Sequence, residues 1–193
     1  MSVTVVVTCH TPRVRNGLLT RSLESVWKQT HLPDAVAIAL DHYHEGAAVT
    51  RNKALWMANT DWVVFLDSDD VLYPTYLKRV FEHQQATNAD VVWPWFDVYG
   101  SDDPFPMHFG KQWNPEEPHI FPITTLVRRE LALKVGGFPM EAPAGKWCLG
   151  EDFPFWKALS NEGAKFSHLP ERLWEWNHKP PGGNTSGMPN RWK

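Results

Sequence analysis

Two kinds of apolar pattern alternate along the first hundred residues. Residues 3–8 form a short, continuously β-branched run, which is typical of a strand covered on both faces of a parallel sheet. Residues 18–27 place their apolar side chains at helical spacing. By the same criteria the sequence predicts strands over residues 3–8, 35–40, 62–66 and 89–99, and helices over residues 18–27, 47–58 and 75–85. This alternation predicts an α/β fold with a central, mostly parallel sheet flanked by helices, and ligands at the carboxyl ends of the strands.

The second half of the chain is less periodic. Residues 102–118 are rich in proline and charge, which indicates a long functional loop. A short strand is predicted over residues 123–127, and short helices over residues 129–135 and 153–161. Residues 180–187 are rich in proline and glycine and predict a mobile tail.

Composition and net charge limit the classes of protein to which the chain can belong. A chain of 193 residues that is 42% hydrophobic supports one substantial core, so we expect a single domain. The net charge of −3 gives no global positive field for nucleic acid. With only Cys9 and Cys148, neither a disulfide framework nor a structural zinc site is indicated, which fits a reducing cytoplasm. No apolar run approaches the roughly 20 residues that span a bilayer, so no membrane anchor is expected.

Eleven tryptophans are present, far above ordinary usage. Flat aromatic faces stack on sugar rings or nucleobases, although a tryptophan-rich core is the alternative. Trp93 and Trp95 lie two residues apart on a predicted strand, so we expect their rings to share a face. Together with Trp147 they are our candidates for binding a ring-shaped ligand.

Three carboxylates, those of Asp67, Asp69 and Asp70, follow the predicted strand of residues 62–66. Such a concentration of negative charge is costly unless a cation or hydrogen-bond donors neutralise it. Carboxylate oxygens suit Mg²⁺ or Mn²⁺. The alternative is an acidic turn that caps the next helix.

These motifs occur in an order that resembles the family 2 glycosyltransferases of the GT-A fold. The matching segments are Thr8-Cys9-His10-Thr11-Pro12-Arg13, Asp41, Thr50-Arg51-Asn52-Lys53-Ala54, Phe65-Leu66-Asp67-Ser68-Asp69-Asp70, Leu126-Val127-Arg128-Arg129-Glu130 with Gly136-Gly137-Phe138, Gly150-Glu151-Asp152-Phe153, and His178 with Ser186-Gly187. One departure is the segment of residues 42–46, which lacks the second aspartate and the Gly-Ser-Thr run common in the family.

The resemblance implies a site for a nucleotide-sugar donor. The donor-binding residues that it implies are Thr8, His10, Pro12, Arg13, Asp41, Arg51, Asp67 and Ser68. Asp41 corresponds to an aspartate that binds the nucleotide base in the family. Arg51 lies near a predicted helix start, where its guanidinium and free backbone N–H groups suit a diphosphate, although an ordinary surface arginine is the alternative.

The resemblance also implies a cation and a base. Asp69 and Asp67 would hold Mn²⁺ or Mg²⁺, and His178 would be a third ligand or a phosphate contact. Asp152 would be the catalytic general base, with Glu151 beside it. The alternatives are a first-turn helix acid for Asp152 and a solvated loop histidine for His178.

The expected function is therefore an inverting, metal-dependent transfer of a sugar from a nucleoside-diphosphate sugar, a UDP-sugar by resemblance, to a hydroxyl acceptor. Residues 1–100 would form the nucleotide-sugar-binding half, residues 101–179 the acceptor and catalytic half, and residues 180–193 a flexible tail. Trp93, Trp95 and Trp147 would line the acceptor cleft. The loop of residues 102–118 and the tail are candidate lids. The small size is similar to that of stand-alone bacterial or bacteriophage enzymes.

Two other functions are open. A nucleotidyltransferase also presents carboxylates to Mg²⁺, but it normally has a glycine-rich phosphate loop, and residues 8–15 are not glycine-rich. A non-catalytic nucleotide- or carbohydrate-binding module would not need both Glu151-Asp152 and the acidic cluster that Asp67, Asp69 and Asp70 form. The acceptor, whether glycan, protein, small molecule or modified nucleic acid, and the oligomeric state are not defined by the sequence.

Overall fold

A computed structural model describes residues 1–100, 102–116, 121–140 and 152–177. In chain order its strands and α-helices are β1 (Val3–His10), α1 (Thr11–Arg15), α2 (Leu18–Trp27), β2 (Ala35–Asp41), α3 (Ala47–Met57), β3 (Trp62–Asp67), β4 (Val71–Leu72), α4 (Tyr76–Thr87), β5 (Val91–Tyr99), β6 (Leu126–Arg128), α5 (Arg129–Lys134), α6 (Asp152–Asn161) and β7 (Phe166–Asn177). A single 3₁₀ turn, Pro106–His108, lies between β5 and β6. Every helix and strand that the sequence predicts over residues 3–99 is present, with ends shifted by a few residues at most.

The described strands form one sheet in the order β2-β1-β3-β6-β5-β7-β4. β2 and β3 pair with β1 in parallel, β6 and β4 pair antiparallel to their neighbours, and β7 is parallel to β5. Five of these strands, β1, β2, β3, β5 and β7, therefore run in one direction. The predicted α/β fold with a mostly parallel sheet is confirmed.

Both faces of the sheet are covered, which explains the uninterrupted apolar run of β1. Val5 and Val7 pack into a cluster that also contains apolar residues of α2 and α4. Val6 points to the opposite face, where it packs with Leu55 of α3 and Phe155 of α6. Every side chain of β1 before His10 is buried. The strand therefore has no solvent-facing positions at which polar residues would alternate with apolar ones.

The strand of residues Phe166–Asn177 is absent from the sequence-based prediction. It contains Pro170 and several charged residues, and its pairing with β5 is interrupted by register shifts on either side of Trp95. Such bulges break the period of two on which strand prediction depends. The strand nevertheless ends at the same edge of the sheet as β1, β2, β3 and β5.

The loop after β5 is fastened to the sheet where the structure describes it. Asp103 accepts a hydrogen bond from the indole of Trp95 (2.8 Å), the backbone N–H of Gly110 donates to His168 Nε2 (2.9 Å), and the side chain of Gln112 accepts from the backbone N–H of His168 (3.0 Å). Opening this loop as a lid would require these bonds to break. No helix within the described ranges is long and apolar enough to cross a bilayer.

Candidate active site

Strands that run in the same direction bring their last residues to one edge of the sheet. β1 ends at His10, β2 at Asp41, β3 at Asp67 and β7 at Asn177. The connections from β1 place β2 on one side and β3 on the other, so this edge contains the point at which the strand order reverses. Ligands of open α/β sheets bind at that point.

Asp67 is the first carboxylate of the acidic cluster and is held by three hydrogen bonds. The hydroxyl of Thr8 donates to Oδ1 (2.8 Å), and Arg51 Nη2 lies 3.2 Å from Oδ1 and 3.1 Å from Oδ2. Burial acts to raise the pKa of Asp67, but the charges of Arg51 and Arg13 and the bond from Thr8 outweigh it, and the pKa is lowered. Asp67 is therefore an anion at neutral pH.

Asp69 is only 3% exposed and forms a salt bridge with Arg13, whose Nη2 lies 2.9 Å from Oδ2. Burial raises the pKa of Asp69 to about 7, and the carboxylate of Asp67 contributes to the rise although the guanidinium of Arg13 opposes it. The positive charge of Arg13 alone therefore does not offset the effect of burial on Asp69.

Asp70 is buried behind the other two carboxylates. The backbone N–H of Asn177 donates to its Oδ1 at 2.9 Å. Burial, and then the charges of Asp69 and Asp67, raise the pKa of Asp70 well above its usual range. Asp70 therefore ties the end of β7 to the acidic cluster.

The acidic cluster suits a divalent cation that is also bound by a ligand. Burial raises the pKa of Asp69 despite its salt bridge with Arg13, so a further positive charge would stabilise the ionised carboxylate. No three His, Cys, Asp or Glu side chains converge on one point among the described residues. One or two carboxylates, completed by phosphate oxygens and water, are the usual protein contribution to a Mg²⁺ site. Asp69 and Asp67 are the residues that could hold the cation.

Arg51 connects the acidic cluster with the second half of the chain. While Nη2 binds Asp67, Nη1 donates to Asp152 Oδ1 at 2.7 Å. Arg51 is 5% exposed and is carried by α3, which packs closely on β1 and β2 through small residues such as Ala54. Asp152 is the first residue of α6, one residue before the predicted start of that helix. Asp67, a proposed cation ligand, and Asp152, the proposed base, thus both contact the guanidinium of Arg51.

The remaining predicted donor-binding residues surround the ends of β1 and β2. The carboxylate of Asp41 accepts hydrogen bonds from the backbone N–H groups of Glu45 (2.7 Å) and Gly46 (3.3 Å), so it shapes the turn into α3. His10 Nε2 lies 3.2 Å from Nδ1 of His44. The structure thus places His10 and Asp41 at the same edge.

Two more predicted donor-binding residues flank the acidic cluster. Pro12 is exposed at the start of α1. Ser68 is buried, and its backbone N–H donates to the carbonyl of Thr8 at 3.0 Å.

Three predicted site residues lie outside the described residues. These are Glu151, His178 and Trp147, proposed above as a catalytic residue, a metal ligand and an acceptor contact. Their roles remain predictions.

The acceptor-binding roles of Trp93 and Trp95 are not supported. Both indoles are fully buried, so neither presents a ring face to a sugar. The expectation that they share a face is also wrong, because the register shifts between residues 94 and 96 turn Trp95 to the other side of the sheet. Trp93 packs with Phe121, and Trp95 packs with Phe96 in the opposite core layer. They are core residues.

Two contacts that hold the site together are not predicted from the sequence. Arg13 and Asp69 are predicted as separate site residues but not as a pair, and no role is predicted for Asn177. The signal for Asn177 is weak: it immediately precedes His178, within the strand that was not predicted. Such contacts depend on tertiary structure.

Comparison with known proteins shows which family the chain resembles. Residues 37–136, more than half of the chain, match the sequence model of a family described as glycosyl transferase family 2. The matched region contains Asp41, Arg51 and the acidic cluster. No curated protein shows significant sequence similarity to the chain.

Solved structures of S. aureus TarS share the fold. TarS 1-349 in complex with UDP-GlcNAc has a TM-score of 0.77 and 20% sequence identity over 97% of this chain, and TarS 1-349 in complex with UDP has a TM-score of 0.73 and 19% identity over 92%. The chain spans only 61% and 60% of those two TarS chains. On the family match, supported by this shared fold, the chain belongs to glycosyl transferase family 2.

Proposed function

We propose that the chain transfers a sugar from a nucleoside-diphosphate sugar, specifically a UDP-sugar, to a hydroxyl acceptor with inversion at the anomeric carbon. The observation that carries the proposal is the bridge from Asp67 through Arg51 to Asp152. In this bridge the guanidinium of Arg51 contacts both Asp67, the proposed donor-side carboxylate, and Asp152, the proposed base, at the ligand-binding edge of the sheet. Support for UDP comes from the TarS complexes with UDP and UDP-GlcNAc.

In this proposal the donor diphosphate lies against the acidic cluster. Asp69, assisted by Asp67, would hold Mn²⁺ or Mg²⁺, which when bound supplies positive charge for the departing diphosphate. Arg13 and Arg51 are the guanidinium groups next to these two carboxylates, and in this proposal both would contact phosphate oxygens.

Asp152 would act on the acceptor. The form of Asp152 that accepts a proton is the carboxylate, whose Oδ1 pairs with Arg51. As the acceptor oxygen forms its bond to the anomeric carbon, its proton passes to Asp152, and the bond from that carbon to the diphosphate oxygen breaks. A single displacement of this kind inverts the anomeric configuration.

The test is a release assay with Mn²⁺ or Mg²⁺ and a panel of nucleotide sugars, with candidate acceptors present or absent. We expect nucleoside diphosphate to be released from a UDP-sugar, slowly to water and faster when the acceptor is found. Release of pyrophosphate from a nucleoside triphosphate would favour a nucleotidyltransferase. Donor binding without release under any condition would favour a binding module.

A further inference from the structure

Asn52, the neighbour of Arg51 in α3, is hydrogen-bonded to a residue far away in sequence. Its Nδ2 donates to the carbonyl oxygen of Phe138 at 2.8 Å, and its Oδ1 accepts from the backbone N–H of Phe138 at 2.7 Å. The side chain is 3% exposed, so both bonds are shielded from water. Because they use one donor and the acceptor of the amide, its orientation is fixed. α3 is therefore joined at one point to the turn that follows α5.

This junction depends on Gly137. Gly137 has a φ of +76°, and a Cβ at this position would lie 2.2 Å from Oδ1 of Asn52. Any other residue would thus be strained by its backbone and would displace the amide. Because Gly137 has no side chain, the amide of Asn52 can approach the backbone at this position.

The ring of Phe138 continues the junction beneath the guanidinium of Arg51. The Arg51 Cζ lies 5.6 Å from the ring centroid. The ring packs edge to face on Phe65 of β3 (5.0 Å) and is stacked on Phe155 of α6 (4.0 Å). β3 ends at one carboxylate partner of Arg51, and α6 begins with the other. The ring is therefore fixed to both elements that the guanidinium bridges.

From this geometry we propose that Asn52 and Phe138 are positioning residues that hold the guanidinium of Arg51 between the donor-side Asp67 and the base Asp152. Asn52 fixes α3 against the turn, and the ring of Phe138 supports the guanidinium from below. The proposal rests on the proposed function, since it assigns these residues to the same transfer reaction. They contact neither donor nor acceptor and act through Arg51.

A double-mutant cycle tests the proposal, because residues that act through one another give non-additive losses. The cycle combines Asn52→Ala with Arg51→Ala and measures turnover of the UDP-sugar and Mn²⁺-dependent UDP binding. We expect Asn52→Ala alone to lower turnover about ten- to a hundredfold, as small misplacements of catalytic groups do. In the Arg51→Ala background the same substitution should change turnover less than about twofold.

Phe138→Leu provides a second cycle with Arg51→Ala. It keeps an apolar side chain and the backbone partners of Asn52 but removes the ring face, so it carries the test if Asn52→Ala does not fold. The matched control is Gln84→Ala, which removes another buried amide, one that donates to the carbonyl of Ala89 at 3.2 Å beside the start of β5. It should lower the melting temperature and leave turnover unchanged.

Losses that multiply in both cycles would overturn the proposal, as would full turnover in Asn52→Ala or Phe138→Leu. Wild-type turnover in Arg51→Ala would show that the bridge through Arg51 is not needed for sugar transfer. The positioning role of Asn52 and Phe138 would then be excluded as well. Absence of turnover in the wild type, with UDP still bound, would instead contradict the proposed function.

Discussion

Arg13 and Asp69 form a salt bridge of 2.9 Å in which both side chains are largely buried. The guanidinium therefore occupies one oxygen of the carboxylate that we propose as the main cation ligand. A cation that binds Asp69 has to compete with Arg13 for that oxygen. We therefore expect this pair to set the affinity of the donor-free protein for the cation.

Arg13→Gln should tighten Mn²⁺ binding to the donor-free protein by about tenfold, equivalent to about 1.4 kcal/mol. The physical reason is that the substitution removes a competing positive charge. Calorimetry at pH 8, above the pKa of about 7 of Asp69, measures it. Arg79→Gln, which removes an arginine paired with Glu171 on another surface, is the control and should leave the affinity unchanged. Weaker Mn²⁺ binding in Arg13→Gln would show that Arg13 does not compete with the cation.

Asp69→Asn should sharply weaken the metal-dependent binding of UDP. The amide keeps the shape of the side chain but loses the charge that holds the cation. In calorimetry we expect UDP to bind the wild type only when Mn²⁺ or Mg²⁺ is present, and binding to weaken sharply in the variant. Undiminished metal-dependent binding would exclude Asp69 as the ligand.

Trp95→Ala should cost about 3–5 kcal/mol of unfolding free energy, as truncation of a buried tryptophan does. Trp95 is fully buried, stacks on Phe96 and donates to Asp103. Urea unfolding measures the loss, and Trp27→Ala, at a tryptophan that is 59% exposed, is the matched control. A stable Trp95→Ala protein that fails only in sugar transfer would restore the acceptor role.

His168 should make stability depend on pH. Its Nδ1 donates to the carbonyl of Trp93 (2.9 Å), and its Nε2 accepts from the N–H of Gly110 (2.9 Å), so the folded protein needs the neutral ring. Burial lowers the pKa of His168 below its usual 6.5. The unfolded chain therefore binds a proton that the folded chain excludes, and stability falls as pH drops below about 6.5 by up to ~1.4 kcal/mol per pH unit.

The buried carboxylates act in the opposite direction, because their pKa values are raised in the folded protein. The measurement is therefore the difference in melting temperature between the wild type and His168→Gln from pH 8 to pH 5. We expect the advantage of the wild type to shrink as the pH falls. A constant difference across this range would contradict the assignment.

The donor half of the fold could be predicted because its elements are local and periodic. The run of residues 3–8 and the helical spacing of residues 18–27 depend only on neighbouring side chains. The same reasoning places Asp41 and Asp67 at strand ends, where the structure has them. Side chains at the ends of parallel strands meet at one edge whatever the other details of the fold.

The remaining features depend on contacts between distant segments. The bulge that separates Trp93 from Trp95 arises from pairing with β7, whose own pattern is broken by Pro170. The junction of Asn52 with Phe138 joins residues 86 positions apart, and nothing local to either residue signals it. The charged groups at this edge of the sheet can be predicted from the sequence, but the contacts between them cannot.

The central claim is that Asp152 activates the acceptor while the acidic cluster holds the donor. The most direct test measures turnover and Mn²⁺-dependent UDP binding side by side in the wild type and in Asp152→Asn. General base catalysis supplies about 10²–10⁴-fold, so we predict that turnover falls by about that factor while UDP affinity stays within about twofold of the wild type. Wild-type turnover in Asp152→Asn with a confirmed acceptor would contradict the account and make Glu151 the next residue to test.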